Sequence, residues 1–127
     1  MSHRILIVED QADIRKLIRM TLEFGDFEIQ EAVDGESGLA AAANFKPTVM
    51  LLDVMMPGQL DGYQVCQRIK QDPDLRHIQV VLLTARGQVS DIEAGQRAGA
   101  NAYLVKPFSP LELIDRVEAL VAEHTAS

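Results

Sequence analysis

The sequence predicts an α/β domain, a parallel sheet of five strands with helices on both faces, and three observations carry that prediction. Five short strand-like segments, four of them apolar runs, alternate with five segments of helical periodicity, the pattern of repeated strand–helix units joined by right-handed crossovers. The central run, ending at Leu52, lies between Pro47 and Pro57-Gly58 and shows no polar alternation, as a strand buried on both faces should. Four of the five strands finish on polar residues: Glu9-Asp10, Asp53, Thr84 and Lys106. Parallel strands present their carboxyl ends at one rim, so these groups should converge there.

The elements follow in order. A β-branched run predicts a strand over residues 4–8 that stops at Glu9-Asp10. Ile14, Leu17, Ile18 and Leu22 recur at helical spacing, with Asp13, Arg15, Lys16, Arg19 and Glu23 on the other face, so residues 13–24 form an amphipathic helix closed near Gly25. Residues 27–32 alternate weakly and read as a strand nearer the sheet edge. Asp34 can cap a helix over 35–44, whose buried stripe is Leu39, Ala42 and Ala43. Pro47 then forces extended chain into the central strand, 48–52. Asp61 caps a helix over 61–71 with Val65, Cys66 and Ile69 inward, and Asp72-Pro73 ends it. Residues 78–83 form the fourth strand. The helix over 90–98 has a capping box in Ser90 and Glu93 but is interrupted by Gly95 and carries few large apolar residues, so it should be the least stable. A short strand over 102–105 ends at Lys106-Pro107. Ser109-Pro110-Leu111-Glu112 is a strong helix start, and Leu113, Ile114, Val117, Leu120 and Val121 share one face of a helix over 110–122.

The 127 residues, 47% hydrophobic and 24% charged, fit one domain, 1–127, with an ordinary core. No apolar run approaches the roughly 20 residues of a membrane span, and no signal-peptide pattern opens the chain, which leads to a cytoplasmic expectation. One cysteine, Cys66, excludes an internal disulfide and reads as packing. His3, His77 and His124 lack ligand spacing. A net charge of −7 argues against direct nucleic-acid binding and favours cations and basic protein surfaces as partners.

The rim residues restrict the chemistry. Glu9, Asp10 and Asp53, brought close together, would raise one another's pKa unless a cation neutralised them. An oxygen-only ligand set favours Mg²⁺ over Zn²⁺. A carboxylate with a hydroxyl and an ammonium beside it suits phosphoryl transfer, with Asp53 as the nucleophile and Thr84 and Lys106 holding phosphoryl oxygens.

These residues, in this order, resemble the receiver domain of two-component response regulators across essentially the whole chain. The resemblance rests on Ile5-Leu6-Ile7-Val8-Glu9-Asp10, on Leu52-Asp53-Val54-Met55-Met56-Pro57 with Asp61-Gly62 after it, on Leu83-Thr84-Ala85, and on the block from Ala102 to Phe108. It implies a single-domain, flavodoxin-like, doubly wound (βα)5 sheet of strand order 2-1-3-4-5. It implies phosphorylation of Asp53 by a histidine kinase or histidine phosphotransfer protein, with Mg²⁺ on Asp10, Asp53 and the backbone carbonyl of Met55, and Glu9 acting through water. It implies a contact from Lys106 to the phosphoryl group and a cis Lys106-Pro107 bond. Thr84 would move toward the phosphoryl group while Tyr103 rotates inward, switching a surface formed by the helix 90–98, the strand 102–105 and the helix 110–122. That surface would serve an unknown downstream protein or an output domain outside this chain, and would allow a homodimer. The chain would then be a signalling phosphoacceptor that assists its own phosphoryl transfer and dephosphorylation, and not an enzyme in the ordinary sense.

Two features depart from the family pattern. Gly58-Gln59-Leu60 makes the loop before Asp61 one residue longer than is common. The side chains two positions after Asp53 and Thr84 are Met55 and Arg86, and an apolar Met55 cannot orient an attacking water, so slow autodephosphorylation is expected. Three other readings compete. An aspartyl-phosphate hydrolase would have a second carboxylate just after Asp53, where Val54-Met55 stands. A flavin carrier would need a phosphate loop where Glu9-Asp10-Gln11 would repel phosphate. A receiver-like module that binds partners without phosphorylation would not need the intact set of acids, Thr84 and Lys106.

Overall fold

The structure is a computed structural model that describes residues 3–56, 58–85 and 89–126, with backbone only at 89–91 and 124–126. Five strands and five helices alternate: β1 (His3–Val8), α1 (Ala12–Leu22), β2 (Phe27–Ala32), α2 (Gly35–Phe45), β3 (Val49–Asp53), α3 (Gly62–Gln71), β4 (Gln79–Thr84), α4 (Val89–Ala98), β5 (Ala102–Val105) and α5 (Pro110–Ala126). All strand pairs are parallel, in the order β2-β1-β3-β4-β5. This is the flavodoxin-like sheet expected from the sequence, with β2 at one edge.

Alternation along each strand divides the core in two. Leu6, Val8, Met50, Leu52, Val80 and Leu82 point to the side of α2, α3 and α4. Ile5, Ile7, Leu51, Val81, Leu83 and Leu104 point to the side of α1 and α5, where Ile18, Leu22, Leu113 and Val117 meet them. β1, β3 and β4 therefore have no polar face, because both of their faces are covered.

Local chemistry sets the helix ends. Asp34 accepts from the Ser37 amide and Asp61 from the Gln64 amide, each within a reciprocal capping box. Ser109 accepts from the Glu112 amide at 3.1 Å. Other expectations need correction. α1 ends at Leu22, two residues early, and α5 runs on to Ala126 because no glycine or proline follows residue 122 to stop it. α4 begins at Val89, so Ser90 lies inside the helix and cannot be its N-cap; Pro57 and Arg86 lie outside the described residues, as do the side chains of Ser90 and His124. In α2 the buried positions are Gly35, Gly38, Ala42 and Phe45, while Ala43 faces solvent. Leu17 is 47% exposed, since α5 covers only part of the apolar stripe of α1.

Candidate functional site

The strand register assembles the rim. Val8 lies opposite Leu52, and Asp53 opposite Leu83, so Glu9 and Asp53 end their strands at the same level. The Glu9 amide donates to Ala32 O, the Val54 amide to Leu83 O and the Lys106 amide to Thr84 O, which continues the ladder into the loops. Alternation then sorts the side chains. Glu9, Asp53 and Lys106 fall in the same alternation as Ile7, Leu51 and Leu104, toward α1 and α5. Thr84 and Tyr103 fall with Leu82, toward α3 and α4.

Lys106 reaches over the end of β4 and joins the acids. Its Nζ donates to Glu9 Oε1 at 2.6 Å and to Asp53 Oδ1 at 3.2 Å. Glu9 is fully buried and Asp53 nearly so. Burial first, and then the neighbouring Asp53 carboxyl, push the Glu9 carboxyl up to about 7 against the opposing pull of Lys106. Burial works against the Lys106 ammonium, but the Glu9 hydrogen bond and the Asp53 charge outweigh it and hold the lysine above its usual range. Asp10 is exposed, and one oxygen each of Glu9, Asp10 and Asp53 lie within 4.8 Å of one another. Glu9 Oε2 is buried with no hydrogen-bond partner. An orphaned buried carboxylate oxygen beside two further carboxylates fits a hard cation held partly through water.

The β3–α3 loop closes the other side. Asp61 caps α3, and Gly62 lets the helix start lie against the strand end: a Cβ there would meet Asp53 O at 2.4 Å. The longer loop is held by buried Leu60 and by the Gln59 amide donating to Glu36 at 3.2 Å. The Met55 side chain is 65% exposed and faces away from the core. Thr84 is buried and, with Tyr103, Leu82 and Gly95, lines a void of about 10 Å³.

Sequence reasoning missed one contributor. Arg15, placed on the solvent face of α1, reaches back to the turn after β1. Its Nη1 donates to Glu9 O at 2.9 Å and to Asp10 O at 3.3 Å. The available signal was an arginine one helical turn after a strand-end acid pair.

The comparisons with known proteins agree with this geometry. The response regulator receiver domain family matches residues 5–118. The chain is 42% identical over 118 residues to the DNA-binding dual master transcriptional regulator RpaA of Synechocystis, covering 93% of this chain and 48% of RpaA. It is 45% identical over 122 residues to the response regulator PleD of Caulobacter vibrioides, covering 94% of this chain and 26% of PleD. Among solved structures, the chemotaxis response regulator CheY4 of Vibrio cholerae superposes with a TM-score of 0.88 at 27% identity, over 94% of this chain and 99% of CheY4. The chain belongs to the response regulator receiver domain family. It spans about half or less of the length of these two curated relatives.

Proposed function

We propose that this domain accepts a phosphoryl group on Asp53 from the phosphohistidine of a histidine kinase or histidine phosphotransfer protein. A carboxylate oxygen of Asp53 forms the bond to phosphorus, the phosphorus–nitrogen bond breaks, and the imidazole leaves with the electron pair. The supporting observation is the Lys106 ammonium fixed between Glu9 and Asp53, where it can meet charge on the phosphoryl oxygens without reorganising. Asp10, Asp53 and the Met55 carbonyl, with Glu9 through water, would hold Mg²⁺, which when bound neutralises the acids and the incoming phosphoryl oxygens. Thr84 supplies a hydroxyl to the phosphoryl group, and Tyr103 follows it inward. The readout surface is then α4, β5 and α5, available to a downstream protein, to an output domain outside residues 1–127, or to a second copy.

Residues 1–127 act as one receiver unit in the cytoplasm, with no direct role for nucleic acid. Among the described residues no helix is long and apolar enough to cross a membrane. With Met55 unable to orient water, dephosphorylation is slow. The test is incubation with acetyl phosphate and Mg²⁺ followed by intact mass, comparing the native chain with Asp53→Asn. The expected result is one phosphoryl adduct on the native chain and none on the variant. An adduct missing from the native chain would leave a module that binds partners unphosphorylated; an adduct kept by the variant would move the acceptor elsewhere.

A further inference from the structure

The turn that carries Glu9 and Asp10 enters α1 without a side-chain cap, since the N-cap residue Gln11 makes no capping hydrogen bond. Its carbonyls are held from inside the helix instead. The Arg15 guanidinium donates through one nitrogen to the carbonyls of both acids, and through Nε to Glu31 Oε1 at 3.2 Å. Glu31 stands on edge strand β2 and also accepts from Arg19, whose Nη2 donates to Ile29 O. The fork is well held, with only 19% of the Arg15 side chain exposed. A planar guanidinium fixed on three oxygens defines position in a way that a flexible ammonium cannot.

We infer that Arg15 is a positioning residue for the cation site: it fixes the backbone of the Glu9-Asp10 turn, and Glu31 fixes Arg15. The inference rests on the reading of Glu9, Asp10 and Asp53 as the Mg²⁺ site. Position and field predict opposite signs. Through charge alone, deleting a cation near three carboxylates would tighten Mg²⁺ binding. Through position, it loosens the two acids and weakens binding, and partners that orient metal ligands typically contribute roughly 10- to 100-fold in affinity.

The experiment is calorimetric titration of Mg²⁺ into the metal-free chain, for the native protein and for Arg15→Ala, Arg15→Lys and Glu31→Gln, with urea unfolding in chelator as the measure of folding. The expected Kd for Mg²⁺ rises about tenfold or more in Arg15→Ala and a few-fold in Glu31→Gln. Arg15→Lys, which can reach one carbonyl, falls between the native chain and Arg15→Ala. An unchanged or tighter Kd in Arg15→Ala, whatever happens to its stability, overturns the inference. If that variant does not fold, native affinity in both Arg15→Lys and Glu31→Gln does the same. A native chain that binds Mg²⁺ but gains no phosphoryl group would defeat the phosphoacceptor reading and leave this inference intact, whereas a native chain that binds no Mg²⁺ defeats this one.

Discussion

Lys106 and Thr84 close neighbouring strands at one rim, yet they sit in different mechanical settings. Lys106 leads into α5, which a serine cap opens and which buries Leu113, Val117 and Leu120 against the sheet. The lysine itself is tied to two carboxylates. On the side to which Thr84 points, α4 buries only Gly95 and Ala98 among its described side chains, with Ile92 half covered, and a void remains beside Tyr103. The contrast teaches where a response can occur. Lys106 stands beside a helix with three buried apolar anchors, whereas Thr84 faces one whose described side chains bury only two small residues, so less burial opposes movement on the α4 side.

The largest expected effect tests that contrast directly. Leu113 is fully buried, so Leu113→Ala should lower unfolding stability by about 3 kcal/mol through lost burial and a residual cavity. Ala98→Gly, at the buried last residue of α4, should cost about 1 kcal/mol, mostly from the lost methyl burial. Urea titration of both variants measures the pair, and hydrogen exchange should show α4 amides opening at lower free energy than α5 amides. Equal losses, or α4 protected as well as α5, would break the comparison.

Four of the strands were legible because each is an apolar run that stops at a polar residue, and the rim residues were legible because they are those stops; β2, whose apolar and polar residues alternate, was legible only as an edge strand. What periodicity could not supply was the partner on the far side of each face. Leu17 keeps helical spacing with Ile14 and Ile18 yet remains half exposed, because spacing gives the direction of a side chain and not what lies opposite it. Ala43, placed on the buried stripe of its helix but facing solvent, follows the same logic. Asp53, Glu9 and Lys106 could be named from sequence, but the complete burial of Glu9 depends on contacts with residues 44 and 97 positions away. Arg15 was read as surface charge because carbonyl acceptors leave no trace in side-chain patterns.

A second prediction concerns the held half of the rim. The folded-state pKa of Glu9 is raised to about 7 from an ordinary 4.5, so between those values the folded chain binds more protons than the unfolded one. Stability from this group is fully present below about 4.5 and is lost as pH rises through about 7. In chelator, the urea midpoint should therefore be higher near pH 5.5 than near pH 7.5. Asp34, held below its usual range by the Ser37 hydroxyl and amide, acts with the opposite sign only at the acid edge, where its contribution is lost as pH falls. Glu9→Gln should flatten the slope between pH 5 and 7. Saturating Mg²⁺ should flatten or reverse it, because a cation favours the ionised acids. A metal-free native chain that grows more stable across that range would place the charged, not the protonated, form of Glu9 in the resting fold.

The smallest effect is the sharpest probe of the yielding half. A Cβ on Gly95 would stand 3.1 Å from Leu82 Cδ1, closer than packed carbons normally sit. Leu82 itself borders the void beside Thr84, so its terminal methyl has room to give by a few tenths of an ångström. Gly95→Ala also removes backbone freedom from the unfolded chain, a gain of up to about 1 kcal/mol in a helix interior. The sum should be a stabilisation of about 0.5 kcal/mol, read as a small rise in the urea midpoint and slower exchange confined to α4. The added methyl would also lie 3.9 Å from Tyr103 Cδ1, giving the ring a fixed neighbour on the α4 side. Mg²⁺ affinity and phosphoryl uptake should therefore stay native while the exchange difference between phosphorylated and unphosphorylated α4 shrinks. If Gly95→Ala instead destabilises by more than 1 kcal/mol, Leu82 is wedged in place and the α4 side is as tightly packed as the α5 side.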